Sequence, residues 1–355
     1  MLPAVSNVFP FPESDLSEIF RSRNIDQYNK WSLLLPSICI MYDQSLTSPL
    51  KSLISSLIRW LRWRSVRIAM FVGLGAVLAA TGCGQLAERE LVFRVAPGTA
   101  SWYGGLPEGV VESDLPVATN GKTEHVHTWW WPADQPDAPA LLYLHGSRWN
   151  LTGQTSRIEQ LHDFGFSVLA IDYRGFGQSD GDLPSEKTVY EDAHIAWNRL
   201  TQLQPDPAKR FIYGHSLGGA IAIDLAASLS AGSMQPGQSI APVPAHGLIV
   251  ESSFTTLADI AKSLTYPWLP LQLLLSQKFD SVDKIARVHM PVLIVHGTDD
   301  RYVPSRFSQK LFDAAPEHKR LLLVQGGTHN NSMRVGESAY RQAFQDLFGW
   351  SPKPS

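Results

Sequence analysis

Six short apolar runs, each closed by a glycine or a polar residue, constrain this chain more than any other feature. They are residues 140–145 (ALLYLH), 167–172 (SVLAID), 210–214 (RFIYG), 247–251 (GLIVE), 291–296 (PVLIVH) and 320–324 (RLLLV). Continuous Val, Ile and Leu runs of this length suit strands buried on both faces of a parallel sheet. An earlier stretch, residues 126–131 (VHTWWW), alternates and stops at Pro132, as an early edge strand would. Helical patterns lie between the runs, over residues 189–203 and 218–229. This alternation predicts an α/β fold, a mostly parallel central sheet with helices on both faces. Ligands bind such sheets beyond the carboxyl ends of the strands, and the small and polar residues of this sequence gather there.

The N-terminal third has a different character. No acidic residue occurs between Asp43 and Glu88, while Lys51, Arg59, Arg62, Arg64 and Arg67 supply positive charge. An apolar run from Ile68 to Gly82 follows, and then Cys83. A basic segment, an apolar segment and small residues before a cut site describe a secretory signal. Ala80-Thr81-Gly82-Cys83 also resembles a bacterial lipobox, with Cys83 the lipidated residue and Ala80 standing where Leu is usual. An uncleaved single-pass anchor is a second reading, although the run is short for a span; a buried helix is a third, opposed by the arginines. Residues 1–58 are expected to be a poorly defined extension, with Met41 a candidate start, residues 59–83 a signal or anchor, and residues 90–350 the folded domain. The first two readings put that domain at a membrane, lipid-anchored on the extracytoplasmic side or held by an N-terminal span.

Composition narrows the function classes. With 30 basic against 33 acidic residues, the net charge of -3 gives no electrostatic case for nucleic acid. Only two cysteines occur, no Cys/His pair has zinc-ligand spacing and HExxH is missing, so no metal or other cofactor is expected. Residues 231–244, rich in Gly, Ser and Pro, read as a surface loop. Residues 265–275 are apolar and carry Pro267, Trp268 and Pro270, which suits either a core helix or a small cap near residues 254–280.

The chemistry-bearing residues stand at the ends of the apolar runs. Gly214-His215-Ser216-Leu217-Gly218 is GxSxG between a strand and a helix pattern, the setting in which that motif makes a nucleophile elbow. Its glycines let the turn be tight enough to lift the Ser216 hydroxyl clear of the sheet, at a helix N-terminus that favours developing negative charge. A free serine is a poor nucleophile and needs a base oriented by a third group. Downstream, in the order acid then histidine, come His296-Gly297-Thr298-Asp299-Asp300 and Gly326-Gly327-Thr328-His329. His329 is the expected base, and spacing does not separate Asp299 from Asp300 as the acid. Backbone N–H groups of Leu217 and Ser147 are the expected oxyanion donors. His145, His215 and His296 each adjoin a glycine at a strand end and read as structural. Asp172 and Arg174 read as loop-shaping residues, and Trp129, Trp130 and Trp131 as sheet packing.

Several segments resemble those of the α/β-hydrolases of the Bem46 and ABHD13/ABHD17-like type. They are Leu144-His145-Gly146, the block from Asp172 to Ala193 (DYRGFGQSDGDLPSEKTVYEDA), GHSLGG from Gly214, ESSFTT from Glu251, HGTDDRYVP from His296 and GGTHNN from Gly326. The resemblance spans nearly all of residues 120–345, and the long second block makes it specific. It implies the α/β-hydrolase fold in a bacterial, membrane-attached member. It also implies that the acid is the carboxylate four positions after His296, which is Asp300. The family's usual HGN is His145-Gly146-Ser147 in this chain, a change that a backbone donor tolerates.

The expected activity is hydrolysis of a carboxylic ester or thioester through an acyl-enzyme on Ser216, with lipids or acylated proteins as substrates. A serine peptidase of the same fold and a membrane-tethered, non-catalytic binding protein are the alternatives, since fold alone does not fix function.

Overall fold

The parallel sheet forms because alternate residues of each apolar run go to opposite faces and both faces are covered. In a computed structural model, β3 (Ala140–Leu144), β4 (Ser167–Ile171), β5 (Arg210–His215), β6 (Gly247–Glu251) and β7 (Val292–Gly297) are buried at every position. The model describes residue 82 and residues 84–119, 121–231, 245–264 and 270–351. The chain divides into two units, Met1–Val77 and Leu78–Ser355, and every described residue belongs to the second.

Before β3 come a helix over residues 84–93 (α1) and the strands β1 (Val111–Thr119) and β2 (Lys122–Trp131). With β8 (Lys319–Val324), the strands form one eight-stranded sheet in the order β1-β2-β4-β3-β5-β6-β7-β8. β1 and β2 run antiparallel to each other, and β2 to β4; every other pairing is parallel. The edge strand is therefore β1, with β2 inside it, contrary to the expectation for residues 126–131. β1 escapes sequence patterning because most of its residues are exposed and Pro116 interrupts it, both tolerable at a sheet edge.

Two cores result. Leu142, Leu144, Ile212, Leu248, Val250 and Ile294 point to one face, where they meet α3 (Glu186–Leu203), α4 (Leu217–Ala231), α7 (Ser281–Ile285) and α8 (Arg306–Ala314). Leu141, Tyr143, Phe211, Tyr213, Ile249 and Leu293 point to the other, against α2 (Thr155–Asp163) and α10 (Glu337–Phe348). Each such Leu or Ile contributes about 1.5–3 kcal/mol by leaving water. The helix α4, apolar on all sides, has ten of its fifteen residues buried, which explains why its sequence shows so little amphipathic contrast.

Between β6 and β7 lie α5 (Leu257–Leu264), α6 (Leu271–Leu274) and α7. α5 sends Leu257 and Ile260 into the core, whereas Leu273 and Leu274 of α6 are 85% and 65% exposed. The short α9 (Ser332–Val335) precedes α10. Of the segment expected to be a surface loop, residues 232–244 lie outside the described residues, as do the extension over residues 1–58, the signal or anchor with Cys83 (except residue 82), and residues 265–269 of the expected cap, with Pro267 and Trp268.

Candidate active site

β5 runs straight into α4, and Ser216 is the single residue between them. It sits at φ 56°, a left-handed conformation that a residue with a Cβ adopts at a cost of about 1–2 kcal/mol. Hydrogen bonds on both sides hold it there. Its N–H donates to Glu251 O of β6 at 2.9 Å, and its carbonyl accepts from Gly219 N at 3.0 Å and Ser253 Oγ at 2.9 Å. The glycines of the motif permit the close approach: a Cβ on Gly218 would stand 2.0 Å from Leu144 O, and one on Gly214 would stand 2.2 Å from Gly218 O.

The loop after β3 lies against this turn. A Cβ on Gly146 would come within 3.1 Å of the Ser216 Cβ, which places the neighbouring Ser147 backbone beside the nucleophile turn. Arg148 and Trp149 follow at φ 66° and 65°, two successive left-handed residues that turn the chain sharply. Leu217 is the first residue of α4, so its N–H has no carbonyl one turn earlier within the helix.

Asp300 and His329 come together from the loops after β7 and β8. Those loops are laced by Thr298 N to Val324 O at 3.0 Å and Asp299 N to Gly327 O at 2.9 Å. His329 Nδ1 lies 2.7 Å from Asp300 Oδ2, in a pair whose carboxylate side chain is fully buried and whose imidazole is 12% exposed. Asp300 Oδ1 accepts the backbone N–H groups of Tyr302 at 2.8 Å and Val303 at 2.9 Å. Burial alone would push the Asp300 pKa up. The hydrogen bonds from His296 and His329, the charge of His329 and the Val303 N–H outweigh it and hold the carboxyl well below the ordinary value. Asp299 is exposed, its side chain accepting from Thr298 Oγ1 at 3.2 Å. Geometry thus singles out Asp300 as the carboxylate bonded to His329.

The histidines expected to be structural brace this arrangement. His215 Nε2 donates to the carbonyl of His329 at 2.8 Å, and the two rings lie 4.7 Å apart. Burial first, then the Arg157 charge, lower the His215 pKa well below the usual value, so the ring is neutral. His296 Nδ1 pairs with Ser308 Oγ at 2.6 Å and its Nε2 with Val303 O at 2.8 Å, with Asp300 Oδ2 3.3 Å away. Asp172 accepts from Leu151 N at 2.8 Å, and Arg174 donates from Nε to Asp192 Oδ1 at 2.6 Å, both fixing loop shape. Arg157 of α2 went unnoticed in the sequence, and Glu251 of β6 stood there only within GLIVE and ESSFTT, with no role; their buried side chains pair at 2.6 Å beside the site.

A strained serine at a strand-to-helix turn, a buried Asp–His pair on the loops after β7 and β8 and the sheet order together define a class, and the chain belongs to the α/β-hydrolase family. The family profile for serine aminopeptidase, S33, matches residues 135–282. An uncharacterised Mycobacterium tuberculosis protein, Rv2307c, is 37% identical over 275 residues, spanning 76% of this chain and 90% of the relative. The zebrafish lysophosphatidylserine lipase ABHD12 is 32% identical over 207 residues, which cover 54% of this chain and 51% of that one. Among solved structures, an esterase of Pyrococcus furiosus shares the fold at 18% identity and a TM-score of 0.54, over 73% of this chain and 98% of the esterase.

Proposed function

We propose that this protein is a serine hydrolase that cleaves carboxylic esters or thioesters through an acyl-enzyme on Ser216. The observation that carries the reading is the left-handed Ser216 between β5 and α4, a strain that packing alone gives no reason to keep. His329 takes the Ser216 proton as the hydroxyl oxygen attacks the substrate carbonyl. Asp300 accepts the His329 Nδ1–H, which leaves the Nε2 lone pair free for that proton and stabilises the imidazolium that forms. The carbonyl oxygen, now negative, is received by the N–H groups of Ser147 and Leu217, each worth about 10²–10³ in rate. Collapse expels the alcohol or thiol, which leaves with the proton from His329, and water repeats the sequence to free the acid.

An exposed aromatic ring beside the proposed base favours acyl substrates. Tyr302, 65% exposed, lies 5.5 Å ring to ring from His329. The lipase and esterase among the similar proteins support this reading; the aminopeptidase name of the family profile supports amide hydrolysis as a second one. Labelling with a fluorophosphonate probe tests the nucleophile: wild type is expected to label and Ser216→Ala to remain unlabelled. Loss of the base in His329→Ala should lower kcat by about 10⁴–10⁶. An unlabelled, folded wild type would instead point to a non-catalytic binding protein. A panel of short and long acyl esters, thioesters and peptides then sorts the substrate class.

We further propose that the domain is held at a membrane on the extracytoplasmic side by lipid on Cys83, with a retained N-terminal span as the alternative. Among the described residues no helix is long and apolar enough to cross a membrane. Mass spectrometry of the mature N-terminus distinguishes the two: a diacylglyceryl Cys83 supports the lipoprotein, and intact residues 60–85 support the span.

A further inference from the structure

The ESSFTT segment opens with Glu251, whose side chain is fully buried and meets Arg157, 94 residues earlier in the chain. Taking both charges out of water gives little net stability, because desolvation offsets their attraction and an apolar pair of similar volume is often as good. Stability alone therefore does not account for the pair, and its surroundings do. Glu251 carries its charge at the end of β6, where its own carbonyl accepts the Ser216 N–H at 2.9 Å. Its Oε2 also receives the Tyr213 hydroxyl, from the strand that delivers Ser216. Arg157 gives NH1 to Glu251 Oε2 at 2.6 Å and NH2 to the carbonyl of Asn330, the residue after His329, at 3.3 Å. One guanidinium fork thus spans the strand beside the nucleophile turn and the loop that carries the base. The planar, two-pronged donor is what arginine offers and lysine does not.

We propose that Arg157 and Glu251 are positioning residues, which fix the His329 loop in register with the Ser216 turn; the inference rests on the reading of Ser216 and His329 as nucleophile and base. Removing one charge would leave the other buried and alone, so single deletions are poor tests. Two variants avoid that. In Arg157→Met with Glu251→Gln, both charges go, and the amide that replaces the carboxylate still accepts from the Tyr213 hydroxyl. In Arg157→Lys, the ion pair is kept while the second prong to Asn330 is lost.

Both variants are read by kcat and KM on a p-nitrophenyl ester, and by the low-field proton resonance of the His329 Nδ1–H at neutral pH. Circular dichroism and thermal melting establish that they fold. A base displaced by about 1 Å loses about 10²-fold in rate, so kcat is expected to fall by one to two orders of magnitude with KM nearly unchanged. The Nδ1–H resonance is expected to broaden or shift. Wild-type kcat and an unaltered resonance in a folded variant would overturn the proposal. The resonance reports on the loop without any turnover, so a wild type that never labels at Ser216, together with variants that still show the resonance change, refutes the acyl-enzyme and leaves the positioning role standing.

Discussion

Replacing Asp300 with asparagine exchanges one oxygen of the site for an NH₂ group and changes almost none of its shape. The Asp300 Oδ1 accepts two backbone N–H groups, from Tyr302 at 2.8 Å and Val303 at 2.9 Å, so the asparagine side chain must place its carbonyl oxygen there. Its NH₂ then takes the Oδ2 position, 2.7 Å from His329 Nδ1. Two donors cannot share that contact. His329 is driven to the tautomer that carries its proton on Nε2, and the lone pair needed to take the Ser216 proton is gone. The same exchange in a Ser-His-Asp enzyme lowers kcat by about 10⁴, which at about 1.4 kcal/mol per decade raises the barrier by roughly 5.5 kcal/mol. Ester hydrolysis at pH 8 measures the loss, and thermal unfolding shows that the variant is folded. Asp299→Asn, at an exposed side chain, should stay within about threefold of wild type. A kcat for Asp300→Asn within tenfold of wild type would refute the reasoning, most directly if Asp299→Asn fell instead. Stability gives a second reading. A carboxyl with a depressed folded pKa contributes stability that is fully present above its unfolded value of about 3.9 and is lost as pH falls through the folded value. Wild type should therefore lose stability relative to Asp300→Asn below about pH 4 and not above it.

Other substitutions test the scaffold. Gly218→Ala puts a Cβ 2.0 Å from Leu144 O and 2.6 Å from His145 O, both backbone atoms with little room to move; it should cost more than about 3 kcal/mol in urea unfolding, and a cost under 1 kcal/mol would contradict the close approach. Ser216→Gly and Ser216→Ala should both abolish probe labelling, but the glycine variant, free of strain at φ 56°, should be the more stable by about 1 kcal/mol. Equal melting temperatures would remove the strain argument. Arg174→Met strips a fully buried Asp192 side chain of its partner and should cost about 3–5 kcal/mol at pH 8. Because burial already raises the Asp192 pKa to about 6, the variant's deficit should shrink at pH 5, where the acid takes up a proton; an unchanged deficit would argue against a buried charge as the cause.

What the sequence disclosed and what it hid follow from how local each signal is. Strands β3 to β7 were legible because residues buried on both faces must be apolar without interruption, and Gly146, Gly214 and Gly297 mark close turns at the ends of β3, β5 and β7. Ser216, His329 and the Asp299–Asp300 pair stood out for the same reason: each stands within a few residues of a strand end whose loop geometry is set by its neighbours. β1 was hidden because an exposed edge strand with a proline has no pattern to show. Choosing between Asp299 and Asp300 needed either a family likeness or the folded loop itself, since the two differ in which way that loop turns. Arg157 was invisible in principle. It sits in a helix whose other residues are ordinary, and its meaning comes from partners 94 and 173 residues away.

The position of Ser216 also explains why the sheet order matters to the proposed chemistry. Ser216 could not hold a left-handed backbone at the end of an edge strand, where its N–H and carbonyl would turn to water and relax. In the order β3-β5-β6, the strand that delivers it has a neighbour on each side. β6 takes the Ser216 N–H and supplies Ser253 Oγ to its carbonyl, while the end of β3 presses on Gly218 and keeps α4 from retreating. The strain is thus confined between two strands that are themselves buried on both faces. The proposed acid and base, Asp300 and His329, arrive from the next strands out, β7 and β8, whose loops are laced together by Thr298 N to Val324 O and Asp299 N to Gly327 O.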